Sequence, residues 1–161
     1  MFTEILTSLN DTALANTIRS SVWVFPAMET LHVTAIVIVV GSIARLDLRL
    51  AGLVSRNRPV TELVHEMLPW TWTSFIIATI FGVLLFAGQP VKYVGVAFFD
   101  VKMILILLAG LNMMAFHYWT YASIGQWDRD PIPPAAVRIA GSLSLAFWIS
   151  VVVCGRLIGF V

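Results

Sequence analysis

Four long apolar runs divide the chain, at about residues 21–44, 68–88, 97–121 and 137–160. Each supplies the ~20 residues that a helix needs to cross a hydrocarbon core. The connections between them are polar or turn-forming: "ARLDLRLAGLVSRNRPVTELVHEM", then Gly88-Gln89-Pro90, then "GQWDRDPIPPAAVR" with Pro131, Pro133 and Pro134. Short connections between successive spans predict an all-α integral membrane protein, an antiparallel four-transmembrane-helix bundle forming one membrane domain over residues 1–161. Ahead of the first span, Phe2, Ile5, Leu6 and Leu9 share one helical face, and Asp11 is placed to cap a second turn through Leu14 and Ile18. Glu4, Asn10, Asp11, Asn16 and Arg19 make this stretch polar and mixed in charge, so residues 1–19 read as an N-terminal interfacial helix and not as a cleaved leader.

Composition agrees with the pattern: 59% of the 161 residues are hydrophobic, only 12% are charged, and the mean hydropathy is +0.90. A net charge of +1, with no basic run and no nucleotide-binding motif, excludes nucleic acid as a partner and leaves membrane lipid. Arg45, Arg49, Arg56, Arg58, Arg129 and Arg138 lie at one end of the bundle and Arg19, Lys92, Lys102 and Arg156 at the other. That bias puts the first group in the cytoplasm and both termini outside it. Trp70, Trp72, Trp119 and Trp127 then fall near the inner boundary, as an aromatic belt does. On the fourth span Gly141, Ser144, Trp148, Val152, Gly155 and Gly159 form a small-residue packing stripe, whose Gly155-to-Gly159 GxxxG suits intrachain packing and a homo-oligomer contact alike.

The candidate chemistry lies in ionisable residues at membrane depth, which are expensive there and more often functional than decorative. They are Glu29, His32, Lys102, His117 and Arg156. The simplest alternative to a site is internal pairing, with Glu29 neutralising Lys102 or Arg156 and His32 hydrogen-bonding a neighbouring carbonyl. Two Glu-x-x-His patterns occur, Glu29 to His32 and Glu62 to His65, a spacing used by di-metal bundles. If the first two spans form a hairpin turning near Asn57, however, the two histidines differ in depth by roughly 25 Å and cannot share a metal. Counted inward from Arg45 and Asp128, His32 and His117 both lie roughly 16 to 20 Å deep. The second depth holds only if the third helix continues through Trp119 towards Trp127. Lys102, Ala109, Met113 and His117 share a narrow face of that helix. Level imidazoles beside a polarizable methionine predict axial ligation of one haem b by His32 and His117, with Lys102 and Arg156 pairing its propionates. Glu29, one turn outward, is expected to reach those basic residues or to orient the His32 ring.

The strings "FPAMETLHV", "GSIARLDLRLAGL", "LPWTW", "FFDVKMILILLAGLNMMAFH" and "GRLIGF" together resemble a bacterial family of uncharacterised four-span inner-membrane proteins, over nearly the whole chain. That resemblance implies a multi-pass protein of the bacterial inner (cytoplasmic) membrane and no particular activity. More distantly, the four-helix layout with histidines in the spans is similar to the cytochrome b561 and copper-resistance D class, whose cytochromes commonly use four histidines for two haems. Three histidines here rule out a copy of that arrangement. The leading expectation is a membrane b-type cytochrome moving electrons with a quinol or periplasmic redox partner. The alternatives are a proton or metal-ion transporter using Glu29, His32 and Lys102, and a non-catalytic accessory membrane subunit.

Overall fold

The computed structural model describes residues 2–160. Its helices are α1 (Phe2–Asn10), α2 (Ala13–Ser20), α3 (Val24–Leu50), α4 (Val60–Gly88), a single turn α5 (Pro90–Tyr93), α6 (Ala97–Ala115), α7 (Ile124–Trp127) and α8 (Ala135–Leu157). A π-helical stretch, Phe116–Thr120, and a 3-10 turn, Tyr121–Ser123, join α6 to α7. Four helical segments are long and apolar enough to cross a membrane: Val24–Leu50, Val60–Gly88, Ala97–Trp127 and Ala135–Phe160. The chain is therefore a multi-pass, all-α membrane protein, and no strand occurs among the described residues.

Most of the charged stretch read as a connection is helix, because α3 continues to Leu50 and α4 already begins at Val60. The reason is apolar spacing hidden among the charges: Leu46, Leu50, Val60 and Val64 pack with Phe116, Trp127 and Val137 in one core cluster. Pro69 lies inside α4. It frees the His65 carbonyl, which sits on an exposed residue near the start of the helix where water can serve it. Pro26 falls in the first turn of α3, where a missing N–H costs no helical bond, so that helix is not opened there.

α3 and α4 make the central pair. The inward positions of α3 are 28, 32, 35, 39, 42, 46 and 49, and those of α4 are 60, 64, 67, 71, 74, 78, 81, 85 and 88. Both sets alternate steps of four and three, the spacing of left-handed coiled-coil packing. Ser74 and Ala78 let the backbones approach, and the Ser42 and Thr71 hydroxyls meet at 2.8 Å across the seam. α8 joins the other side of α3 at Gly141, where a Cβ would lie 2.8 Å from both the Asp47 carbonyl oxygen and the Leu50 Cβ. α6 packs chiefly on α8, and Asn112 donates to the Ala140 carbonyl at 3.0 Å. The lateral order is thus α4, α3, α8, α6, with Phe75 of α4 edge-on to Trp148 of α8 at 6.3 Å.

The two ends are closed differently. At the termini end, α2 lies across α3 and α4, with Ile18 against Gly88, Leu85 and Met28. The cap of α2 is Thr12 and not Asp11: the Thr12 hydroxyl accepts from the Ala15 N–H at 3.2 Å. Arg19 reaches back to the Asn10 carbonyl at 2.7 Å, holding the end of α1. At the opposite, arginine-rich end, Arg49 is 0% exposed and acts as a staple. Its guanidinium donates to the carbonyls of Arg58 at 2.9 Å and Asp130 at 3.0 Å, with a longer contact to the Asp128 carbonyl at 3.4 Å. Asp128 in turn caps α4, accepting from the Thr61 N–H at 2.8 Å and the Thr61 hydroxyl at 2.9 Å. Asp47 and Arg49, two residues apart near the end of α3, do not form an ion pair; each turns to a different neighbour. Trp127, assigned by sequence to the aromatic belt, is a core residue at 3% exposure, its indole N–H on the Ser123 hydroxyl at 3.1 Å. Trp70, Trp72 and Trp119 are exposed as a belt requires.

Two substitutions test this framework. Arg49→Met leaves buried carbonyls without donors, at about 1–3 kcal/mol each, and is expected to lower the thermal midpoint of the detergent-purified protein markedly. Gly141→Ala forces a methyl against the α3 backbone and is expected to cost about 1–3 kcal/mol in the same measurement. An unchanged midpoint for either would show that the corresponding contact does not hold the bundle together.

Candidate functional site

His32 lies in the seam between α3 and α4, half-buried, with Nδ1 2.8 Å from the Ala78 carbonyl oxygen. A carbonyl only accepts, so Nδ1 carries the proton and, in the neutral ring, Nε2 carries the free lone pair. The ring fits because Gly82 faces it; a Cβ there would lie 2.9 Å from the His32 Cε1. From the other side of the bundle comes Lys102, in the first half of α6. Its Nζ sits 3.6 Å from the place where a Gly155 Cβ would be, near Cys154 on α8. Lys102 is half-buried and makes no hydrogen bond or ion pair among the described residues, yet it lies within electrostatic reach of His32.

Glu29, one turn towards the termini end, is exposed and lies within electrostatic reach of both His32 and Tyr93. The expected pairing of Glu29 with Lys102 or Arg156 is not formed. Lys102 is directed to α8, and the Arg156 guanidinium lies over the Phe160 ring at 4.7 Å, exposed and without a carboxylate partner among the described residues. Nor does Glu29 orient His32, whose protonated nitrogen is taken by Ala78. Tyr93 closes this end with Phe86 and Phe99, which stack at 5.5 Å. Burial, and then the Glu29 carboxylate, hold the Tyr93 phenol above its ordinary pKa.

His117 does not join His32. The third span does run on to Trp127, as the depth match required, but the depths of its neighbours separate the two rings. Lys102 lies within electrostatic reach of His32, whereas His117 follows Lys102 by 15 residues, about 22 Å along the helix. Phe116, next to His117, belongs to the core cluster of Leu50 and Val60 at the arginine-rich end. Two ligands of one iron must lie within a few ångströms, so a haem held between His32 and His117 does not fit. The facing is also different from the narrow face expected. The inward positions of α6 are 102, 105, 109, 112 and 116, which turns Met113 and His117 outward, and both are exposed. His117 stacks on Tyr121 at 5.4 Å.

The second Glu-x-x-His pair is likewise elsewhere. Glu66 binds Arg45 at 3.2 Å and Arg58 at 3.0 Å, Glu62 binds Arg58, and His65 is exposed. No group of three or more His, Cys, Asp or Glu side chains among the described residues comes close enough to hold a metal ion. On the fourth span, Gly141 and Ser144 are used within the chain against α3, Gly155 receives Lys102, and Gly159 faces open space. Sequence reasoning missed Gly82 and Ala78, the two residues that place the His32 ring. Gly82, a lone glycine in the middle of an apolar span, was the available signal.

A family model described as a family of unknown function, DUF6644, matches residues 15–161. No curated protein and no solved structure matches the chain.

Gly82→Ala is expected to displace the His32 ring and break its bond to Ala78 while leaving the helices folded. Nitrogen-15 shifts of labelled histidine read this directly, as a change from a fixed Nδ1–H tautomer to a mixture. Shifts identical to those of the parent protein would show that the slot does not set the ring.

Proposed function

The chain belongs to the DUF6644 family of unknown function, and from its own side chains we propose that it is a small membrane carrier that binds and releases protons at Glu29, His32 and Lys102. The observation that carries this reading is that His32 and Lys102, from α3 and α6, lie within electrostatic reach of each other with no carboxylate bonded to either among the described residues. Structural charges at depth are paired; an imidazole with a free nitrogen beside an unpaired ammonium is the constellation of a proton site. Imidazole is also the side chain whose ordinary pKa lies nearest neutral pH. In this reading His32 exchanges the proton through Nε2, Lys102 supplies a fixed neighbouring charge, and exposed Glu29 passes the proton between His32 and water at the termini end. The six-to-four bias of basic residues supports an orientation with that end outside the cytoplasm. The proton is favoured over a metal ion because no cluster of metal-binding side chains forms among the described residues.

Purified protein in liposomes, loaded with a pH-sensitive dye and given a proton gradient, tests the proposal. His32→Gln is expected to reduce the flux about 100-fold, the scale of a lost acid–base group, and Glu29→Gln to slow it about tenfold. His117→Ala is expected to leave it unchanged. Wild-type flux no greater than that of empty liposomes would overturn the carrier reading.

One observation favours a second reading, electron transfer by a b-type cytochrome with a quinol or other redox partner, akin to the cytochrome b561 and copper-resistance D class. A histidine that ligates a metal commonly gives its other ring N–H to a carbonyl, as His32 does to Ala78. One haem b on His32, with Lys102 beside a propionate, would be held without His117. A reduced-minus-oxidised absorption spectrum of protein from haem-replete cells decides it: a band lost in His32→Ala and kept in His117→Ala supports the cytochrome, and a colourless preparation excludes it.

A further inference from the structure

Asp47 is a further ionisable residue inside the bundle with no ion-pair partner among the described residues. It is 4% exposed, at the arginine-rich end of α3, and Ser144 of α8 is its polar neighbour. Its second carboxyl oxygen, Oδ2, has no partner. None of the charged groups on the elements around it forms an ion pair with it. On its own helix, Arg45 binds Glu66, and Arg49 binds the carbonyls of Arg58 and Asp130 and leaves its buried Nη1 without a partner among the described residues. On α4, Glu62 and Glu66 are held by Arg58. Before α8, Asp128 is taken up by Thr61, and Arg138 of α8 is exposed. α6 brings only the amide of Asn112, which is bonded to the Ala140 carbonyl.

An ionised carboxylate buried without a cation costs several kcal/mol, whereas a protonated one needs only hydrogen-bond partners. We propose that Asp47 is a second proton-binding site, protonated in the conformation described, that exchanges its proton with water on the side of the membrane opposite to the His32 site. The inference rests on the carrier reading for its role, though not for its protonation. Asp47 precedes the end of α3 by three residues, about 5 Å, so water at that surface is one helical turn away. It is separated from His32 by 15 residues, about 22 Å, and the buried Ala35 and Val39 lie between them in the seam. Two proton sites divided by an apolar layer are each open to one side and not to the other, which prevents a leak. The exchange itself breaks and re-forms a single O–H bond: the carboxyl gives its proton to water, and water later returns one.

Infrared spectroscopy of the protein in lipid tests this. At neutral pH a carbonyl-stretch band of a protonated carboxylic acid is expected, shifting when the buffer is replaced by D2O. Asp47→Asn, which is neutral and of the same shape, removes the band; Glu29→Gln keeps it. Ser144→Ala retains the acid and shifts the band, so the assignment survives if the Asn variant folds poorly. In liposomes Asp47→Asn is expected to cut proton flux about 100-fold. No Asp47-dependent band at neutral pH, a band that does not exchange with D2O, or full flux in Asp47→Asn would each overturn the proposal. A wild-type protein with the exchanging band and no flux would overturn the carrier reading and uphold protonated, water-exchanging Asp47.

Discussion

A polar group within hydrocarbon must find its partner inside the protein, and in this bundle the partners are mostly backbone carbonyls. Arg49 shows how far the constraint reaches. Its guanidinium has no carboxylate and instead collects carbonyls from the α3–α4 loop and from the segment before α8. Those two loops are therefore held at one fixed distance, and the N-terminus of α4 meets Asp128 as a consequence. His32 with Ala78, Asn112 with Ala140 and Thr71 with Met67 repeat the same solution at greater depth. Side chain to carbonyl bonds between helices set both the register of α4 against α3 and that of α6 against α8.

Against that background, the ionisable groups divide cleanly. Arg45, Arg58, Glu62 and Glu66 form a partly exposed network at one end, of the kind that contributes little to stability and much to orientation. His32, Lys102 and Asp47 sit deeper and lack countercharges. Close helix contacts at Gly82 and Gly141, where a methyl group would crowd the neighbour, and at Gly155, where Lys102 rests in ordinary contact, are what bring them in.

The existence and order of the four spans were legible because twenty apolar residues in a row have few other uses. The ends of α3 and α4 were not. In the stretch from Arg45 to Met67, charge dominated the reading while Leu46, Leu50, Val60 and Val64 kept a helical spacing beneath it. Of the site, the sequence pointed to Glu29, His32 and Lys102 through the cost of charge at depth, a local property. It could not place His117, because the depth of a residue in one helix relative to another depends on which neighbour each helix packs against. Asn112 and Ala140, Lys102 and Gly155, and Asp47 and Gly141 fix those levels, and no spacing within one helix encodes them.

The π-helical stretch from Phe116 to Thr120 has a consequence for how the third span tolerates change in length. A π turn accommodates one residue more than an α turn, so the helix before it and the segment after it keep separate angular phases. Removing a single residue there would let α6 continue as regular α-helix and swing everything beyond it by about 100°. Trp127 would leave the core and Asp128 would lose the start of α4. The bulge thus works as a phase adjuster, letting one continuous span serve the α8 contact at one end and the cap of α4 at the other.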